Sequence, residues 1–210
     1  MHPLTLEQVR AMLRAAEDDW VRPLLLTAVL TGLRKGELLG LRWEDVDLAG
    51  RLLHVRRAVG RVRTPNGYRL TEDQPKSKQS RRVDMPPEVV AALRALPSRF
   101  AAGLVLTRPD GGRVDPANLV RRDFARILKR AGIPRIRFHD LRHTYVALLI
   151  AQGAHPKYIQ QQLGHASITT TLDTYGHLMP QAFQGVSERL GRAVCVEESG
   201  ADGHNLVTTA

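Results

Sequence analysis

A strongly apolar stretch, VRPLLLTAVLTGL, spans residues 21–33. After Arg22 it carries no charged residue, and it predicts a largely apolar helix from about Val21 to Gly32. Glycine tolerates the left-handed backbone in which many helices end, so Gly32 fits a helix C-cap. With 210 residues, 43% of them apolar, the chain is long enough to form one sizeable core.

Further helices are predicted on both sides of this stretch. Thr5 and Gln8 have the spacing of a capping box, so the first helix should begin near residue 6. Other helices are predicted in KGELLGL, in PPEVVAALRAL, in ANLVRRDFARILKRAG and from Asp140 onward. The apolar periodicity is lost from about Glu197, and residues 196–210 are expected to be a disordered tail.

Three arginine-rich segments with β-branched residues lie between these helices: RLLHVRRAVGRV, GYRLTED and SRRVDMP. They are interrupted at residues 65–67 and 74–79, which predicts a small antiparallel sheet. The expected fold class is therefore α+β, mainly α-helical, with a small peripheral antiparallel sheet. Residues 1–195 are expected to form one domain.

The chain is strongly basic, with 31 Lys and Arg against 21 Asp and Glu and a formal net charge of +10. Of these cations 26 are arginine, whose planar fork suits phosphate oxygens better than the point charge of lysine. Such a surface favours a polyanion, and nucleic acid is the first partner to consider. A high-GC genome, which enriches arginine without any function, explains the same composition equally well.

Other features exclude several classes of protein. A single cysteine, Cys195, excludes an internal disulfide framework and a cysteine-based zinc site, and it is compatible with a reducing cytosol. The N-terminus has no basic leader followed by an apolar run, and no apolar stretch approaches the roughly 20 residues of a membrane span. We therefore expect a soluble, intracellular protein that is not associated with a membrane.

Residues that could carry chemistry lie in three places. Arg34 follows the apolar helix, where it is either a solvated cap or a ligand for a buried anion. His139 and Arg142, three residues apart at the head of a helix, share one face and are placed to approach the same anion. His165 follows a Leu-Gly pair, and Tyr175 lies ten residues further on. Taken alone, Tyr175 is more simply a core or surface aromatic than a nucleophile.

His139 and His143, four residues apart, have the spacing of two zinc ligands on a helix. Arg142 between them would repel a dication, no glutamate occupies the position that a metalloprotease motif requires, and no cysteine lies nearby. A zinc hydrolase is therefore the weakest interpretation. For His139 alone, a structural role is the ordinary one.

The residues also occur in a characteristic order along the chain: Arg34, a basic segment with Lys76 and Lys78, His139, Arg142, His165 and Tyr175. This series resembles the tyrosine recombinase (phage integrase) family. The motifs that carry the resemblance are TGLRKGELLGLRW, PKSKQSRRVDM, FHDLRHTYVALLIAQG and LGHASITTTLDTYGHL, and it extends from about Leu4 to Met179. It implies the fold of a tyrosine recombinase catalytic domain over residues 1–195, and the helical DNA-clamping domain that usually precedes it is expected to be absent.

The resemblance implies a role for each residue at the reacting phosphate. Tyr175 is the expected nucleophile on a DNA phosphodiester, and Arg34 and Arg142 would hold its non-bridging oxygens. His139 is implied as the acid/base for the tyrosine proton, and His165 as a further donor to the phosphate.

Two more side chains have expected roles around this centre. The family places a lysine on a β-hairpin to protonate the leaving 5′-oxygen; counting back from the following strand favours Lys76, with Lys78 as the alternative. Glu37 matches an acidic position of the family and is expected to brace the arginine pocket, the alternative being a solvated helix residue.

The implied function is site-specific DNA recombination or integration through a 3′-phosphotyrosyl intermediate, without metal, ATP or other cofactor. The expected partner is double-stranded DNA, bound by a DNA-dependent homotetramer at the nucleoid in the cytoplasm of a bacterium, with a bacterial or phage origin. Residues 181–194 have the apolar spacing of a helix, through Phe183, Val186, Leu190 and Val194, which packs on a neighbouring subunit or closes its own core. A topoisomerase, a hairpin-forming resolvase and a non-catalytic DNA-binding remnant remain as alternatives.

Overall fold

The computed structural model describes residues 3–17, 19–65, 67–73, 80–178 and 185–195. Ten α-helices are found in these ranges: α1 (Leu6–Ala15), α2 (Arg22–Thr31), α3 (Lys35–Leu39), α4 (Pro87–Arg94), α5 (Pro116–Asn118), α6 (Ala125–Arg130), α7 (Asp140–Ala151), α8 (Pro156–Leu163), α9 (Ile168–Tyr175) and α10 (Val186–Cys195). A π-helical segment, Leu119–Phe124, joins α5 to α6, and 3₁₀ turns lie at Trp43–Asp45, Pro97–Phe100 and Gly176–Leu178.

Five strands in the same ranges form two antiparallel sheets: β1 (Val46–Asp47), β2 (Leu52–Val55), β3 (Ala58–Thr64), β4 (Gly67–Asp73) and β5 (Arg81–Asp84). The first sheet has the order β1-β2-β5, and in its register Leu53 lies opposite Val83. Both of these side chains are buried against the helices. The second sheet is the ribbon β3-β4. The predicted class, mainly helical with a small antiparallel sheet, is confirmed.

The predicted first sheet segment is divided in two, which the sequence analysis did not anticipate. Strand β2 ends at Val55 and strand β3 begins at Ala58, so Arg56 and Arg57 separate them. Both arginines pair with Asp45, a buried carboxylate, at 3.3 and 3.0 Å. Asp45 therefore pairs with both residues at the point where the chain passes from the first sheet to the ribbon.

The N-terminal helix signals predicted from the sequence are confirmed. Thr5 Oγ1 accepts from the Gln8 backbone N–H at 3.2 Å, and Gln8 Oε1 accepts from the Thr5 N–H at 2.9 Å, which is the capping box at the start of α1. Helix α2 ends at Gly32, whose φ is +62°. Buried side chains such as Leu24, Leu25 and Val29 place α2 within the main core.

The helical region after Asp140 consists of three helices, because glycines with positive φ interrupt it at Gly153 and Gly164. Helices α7, α8 and α9 enclose a second apolar cluster: Tyr145, Val146, Ile159, Leu163 and Tyr175. Helix α7 also packs on α2, so it connects this cluster to the main core.

Some expectations concern residues outside the described ranges, namely the tail 196–210 and the segment that carries Lys76 and Lys78. Among the described helices, none combines the length and apolar character needed to cross a membrane.

We expect Gly32→Ala to destabilise the fold more than Gly153→Ala. Both positions have positive φ, which costs an alanine about 1–2 kcal/mol. An added Cβ at Gly32 would also collide with the buried Tyr145 ring, whereas nothing lies within 4 Å of one at Gly153. Overpacking of this kind adds about 1–3 kcal/mol to the loss in unfolding free energy. Urea unfolding of both variants checks this, and equal losses would contradict the collision.

Candidate active site

The Arg142 side chain lies between the C-terminal ends of two helices. The residue is 3% exposed, and its Nη1 and Nη2 donate to the backbone carbonyls of Gly32 and Leu163, both at 2.7 Å. Helices α2 and α8 end here at left-handed glycines, and a cation is favoured at a helix C-terminus. A guanidinium has five N–H groups, so Arg142 keeps donors for a further acceptor.

Glu37 is a buried carboxylate in α3 that two arginines share. It is 2% exposed; Arg81 donates to its two oxygens at 2.9 and 2.7 Å, and Arg34 donates through Nη1 and the backbone N–H, both at 2.8 Å. Burial raises the pKa of Glu37, but the hydrogen bonds and charges of Arg81 and Arg34 outweigh it and lower the pKa to about 2. The prediction that Glu37 braces the arginine pocket is confirmed, and the solvated alternative is wrong.

Arg81, the first residue of β5, was not recognised in the sequence. Besides the pair with Glu37, its Nε donates to the Gln162 carbonyl at 2.9 Å, so one guanidinium joins α3, β5 and α8. Gly164 packs on the same side chain, since an added Cβ would lie 2.5 Å from Arg81 Cδ. The motif around Arg81 was singled out for its lysines, and no local spacing indicates a partner 44 residues away.

Arg34 and Arg81 thus bond to the carboxylate of Glu37, and the charges of Glu37, Arg34 and Arg81 all act on Arg142. Burial, followed by the charge of Arg34, lowers the pKa of Arg142 to about 9, and Arg142 therefore remains protonated at neutral pH. These four side chains carry an excess of positive charge in a largely buried setting, where electrostatic interactions are strong. The arrangement is suited to a bound anion.

His139 and His165 lie within the field of these arginines. His165 follows α8 and its Nδ1 lies 3.0 Å from Thr171 Oγ1. Burial, then the charges of Arg142 and Arg34, lowers the pKa of His165 to about 4. The same causes lower the pKa of His139, which directly precedes α7. Both imidazoles are therefore neutral at pH 7.

Tyr175, at the end of α9, has a hydroxyl that contacts a histidine. The residue is 2% exposed, and its Oη lies 2.7 Å from His143 Nδ1. Burial raises the pKa of Tyr175, and the charge of Arg142 lowers it in part. The sequence indicates His143 only through its zinc-ligand spacing with His139 and does not predict this contact. A spacing of four residues indicates a shared helix face, but not the residue that contacts it.

The structure brings together the predicted site residues that it describes. The charge of Arg142 acts on His139, His165 and Tyr175, and the charge of Arg34 acts on Arg142. The roles implied for them remain predictions. Lys76 and Lys78 lie outside the described residues, in the segment that precedes β5 and its first residue, Arg81.

Comparison with known proteins agrees with this geometry. The sequence model of the phage integrase family matches residues 3–182. The protein belongs to the phage integrase family. A XerC-like tyrosine recombinase of Caldanaerobacter subterraneus subsp. tengcongensis is 32% identical over 205 residues, which cover 88% of this chain and 52% of that protein. The ICEBs1 integrase of Bacillus subtilis is 32% identical over 177 residues, covering 78% and 46% respectively.

The chain spans about half the length of these curated relatives. Among solved structures, the Tn1549 transposon integrase in complex with a circular intermediate DNA has a TM-score of 0.76 at 26% identity, covering 90% of this chain and 65% of that one. The XerA recombinase has a TM-score of 0.67 at 27% identity, covering 94% and 64%. The fold of this phage integrase family member is that of a tyrosine recombinase catalytic domain.

The lowered pKa of Glu37 predicts an acid-dependent contribution to stability. A carboxyl whose folded pKa is about 2, against an ordinary 4.5, stabilises the fold above pH 4.5 and loses this contribution as pH falls toward 2. The stability difference between wild type and Glu37→Gln should therefore shrink by about 3 kcal/mol over this range. Urea unfolding of both proteins across pH checks this, and a difference independent of pH would contradict it.

Proposed function

We propose that this phage integrase family member cleaves and rejoins DNA as a site-specific recombinase, through a covalent 3′-phosphotyrosyl intermediate. The observation that carries the proposal is the hydroxyl of Tyr175, which is hydrogen-bonded to His143 and on which the charge of Arg142 acts. The relatives are tyrosine recombinases and integrases, and a structural neighbour is an integrase in complex with DNA. Both support a DNA phosphodiester as the anion.

Phosphate binding falls to the arginines. Arg34 is partly exposed and Arg142 retains N–H donors beyond the two that bind carbonyls, so both guanidinium groups offer donors to non-bridging oxygens. Their positions are set in advance by Glu37 and by the helix ends. They stabilise the negative charge that grows on the pentacoordinate phosphorus, and they do so without reorganising during the reaction.

The reaction exchanges one phosphodiester for another. Tyr175 Oη attacks phosphorus, the bond to the 5′-oxygen breaks, and the 3′-phosphate stays on the tyrosine. Lys76 is the proposed donor of the proton to the departing 5′-oxygen, with Lys78 as the alternative. His165, when Nδ1 accepts from Thr171, carries its proton on Nε2 and donates it to the phosphate in a hydrogen bond.

Rejoining is the reverse of this step. A 5′-hydroxyl, from the same or a second duplex, attacks the phosphotyrosyl bond, which conserves the free energy of the broken diester. The proposed chemistry therefore uses no ATP and no metal, and the residues named above supply each charge and proton. For a protein that acts on DNA in this way, we propose a location at the nucleoid, in the cytoplasm of a bacterium.

Exchange between two duplexes requires four active sites, and we propose a DNA-dependent homotetramer. Helix α10 supports this because Leu190 and Val194 are 64% and 73% exposed, on a helix whose apolar positions were predicted to pack. We propose that another subunit packs on these side chains. Phe183, predicted in the same register, lies outside the described residues.

The decisive test is a covalent adduct with DNA. Wild-type protein is incubated with a pool of short nicked duplexes whose central sequence is randomised, and adducts that survive denaturing gels are sequenced. Tyr175→Phe should form none while binding the recovered duplex as wild type does, because only the nucleophilic oxygen is removed. Tyr68→Phe, which alters an exposed tyrosine on β4, is the matched control and should react normally.

The outcomes separate the alternatives. Adducts formed by Tyr175→Phe would contradict the assignment of the nucleophile. Binding without any adduct from wild-type protein would indicate the non-catalytic remnant. If the protein forms adducts and also relaxes supercoiled DNA or closes hairpins, but never joins two duplexes, the result would indicate a topoisomerase or a hairpin-forming resolvase.

A substrate with sulfur in place of the bridging 5′-oxygen identifies the acid. Its leaving group is a thiolate, whose conjugate acid has a pKa near 8.5, so it needs little protonation. Lys76→Ala should cleave ordinary DNA roughly a hundredfold to ten-thousandfold more slowly than wild type, yet cleave the sulfur substrate at nearly the wild-type rate. Lys78→Ala is the control, with a small and equal defect on both. Rescue of Lys78→Ala instead would move the role to that lysine.

A further inference from the structure

We propose that His143 is the general base that removes the hydroxyl proton of Tyr175 as the oxygen attacks phosphorus. The assignment rests on the proposed function and adds a catalytic residue to it. The resemblance to tyrosine recombinases implied His139 for this role, whereas the hydrogen bond that the structure records for the Tyr175 hydroxyl joins it to His143.

The geometry of the pair meets the requirement for direct proton transfer. The distance from Tyr175 Oη to His143 Nδ1 is 2.7 Å, within the range for an O–H donor and a base in contact. The two ring centroids are 5.7 Å apart at an interplanar angle of 53°, so the rings are tilted and the contact is between the hydroxyl and the ring edge. Tyr175 is buried and His143 is half-buried, so little water competes for the proton.

At neutral pH the Tyr175 hydroxyl carries its proton and the His143 imidazole is neutral. Burial, followed by the neighbouring His139, lowers the pKa of His143 to about 4, so the ring is neutral at neutral pH and Nδ1 carries a lone pair in the Nε2–H tautomer. Burial raises the pKa of Tyr175, which makes the hydroxyl a poor nucleophile unless a base takes its proton. In that tautomer the hydroxyl donates to Nδ1, and the ring keeps its own proton on Nε2.

One neighbour of His143 favours the charge that it would gain. Asp140, one turn earlier on α7, raises the pKa of His143, while Arg137 and His139 lower it. Asp140 itself is buried and paired with Arg137 at 2.8 Å. The imidazolium would therefore form beside a fixed carboxylate, a mild stabilisation that still favours return of the proton.

His139 occupies a different position from His143. Its ring stands edge-on to the His143 ring, with centroids 4.9 Å apart and an interplanar angle of 89°. It is the more exposed of the two, and the charges of Arg142 and Arg34 act on it. This places His139 on the phosphate side of the pair, where a neutral imidazole donates a hydrogen bond to an oxygen of the substrate.

The proposed step balances in protons and bonds. The Oη–H bond breaks as the Oη–P bond forms, and the proton goes to His143 Nδ1. The P–O5′ bond breaks with its electron pair on the 5′-oxygen, which is protonated by the lysine acid. During rejoining His143 returns its proton to the Tyr175 oxygen as that oxygen leaves phosphorus, so one residue serves both directions.

His143→Asn tests the assignment, because the asparagine Oδ1 takes the place of Nδ1 as an acceptor but cannot carry a proton. Adduct formation with the duplex recovered from the randomised pool should slow by roughly a hundredfold to ten-thousandfold, with DNA binding unchanged. His155→Asn is the matched control: His155 accepts from the Lys157 N–H at the start of α8, and asparagine also caps helices, so it should react normally.

A second substitution separates proton removal from positioning. With a fluorinated tyrosine of more acidic phenol at position 175, the need for a base falls, so the defect of His143→Asn should shrink by at least about tenfold. If His143→Asn slowed the reaction by disturbing the structure instead, its rate defect would not depend on the acidity of the phenol. A rate of His143→Asn within about threefold of wild type, or a defect that fluorination leaves unchanged, would overturn the proposal. The same rescue in His139→Asn but not in His143→Asn would assign the base to His139.

Nitrogen NMR tests the protonation state of His143 in the wild-type protein. This test does not depend on whether a variant at His143 folds. The Nδ1 of His143 should be unprotonated at neutral pH, and its signal should shift in Tyr175→Phe. A protonated Nδ1 would overturn the proposal. Wild-type protein that forms no adduct with any duplex of the pool would overturn the proposed function and this role with it, whereas an adduct that His143→Asn forms equally fast overturns only the role of His143.

Discussion

A buried guanidinium joins the two halves of this fold. Arg142 lies on α7 and binds two carbonyls: that of Gly32, the C-cap of α2 in the main core, and that of Leu163, the last residue of α8 in the second apolar cluster. Each carbonyl is at a helix end that no further turn can satisfy, so removing the guanidinium would leave two buried acceptors unpaired as well as a cavity. The position of α8, and of the histidine that follows it, therefore depends on the residue proposed to bind the phosphate.

The same contacts hold the fold together and position the charges of the candidate site. Glu37 compensates part of the charge of Arg34 and Arg81, and it holds both in place through hydrogen bonds. What it leaves uncompensated is an excess of positive charge beside Tyr175, which costs stability in the free protein and becomes favourable when an anion arrives. A site built in this way is less stable than a neutral core of the same size, as is common where stability and activity compete.

Local signals in the sequence predicted much of the fold. Caps such as Thr5 and Gly32 depend on a few neighbouring residues, so spacing alone reveals them. The order of the site residues indicated the family, but contacts between distant segments could not be read from it. Arg81 meets Glu37 across 44 residues, and which helix faces Tyr175 depends on how α7 and α9 pack. A spacing of four residues predicts that two side chains share a helix face, but it does not indicate which residue of another helix contacts them.

The burial of Tyr175 has a consequence for how the protein would discriminate between DNA sequences. A tyrosine hydroxyl that is already hydrogen-bonded, in a residue that is 2% exposed, is not accessible to every phosphate that collides with the surface. Under the proposed function, the contacts that a duplex makes with other parts of the protein must first supply the free energy needed to expose the hydroxyl. Because each 1.4 kcal/mol changes a population tenfold, modest differences in these contacts become large differences in cleavage. Discrimination between the correct DNA sequence and the rest of a genome then begins before any bond is broken.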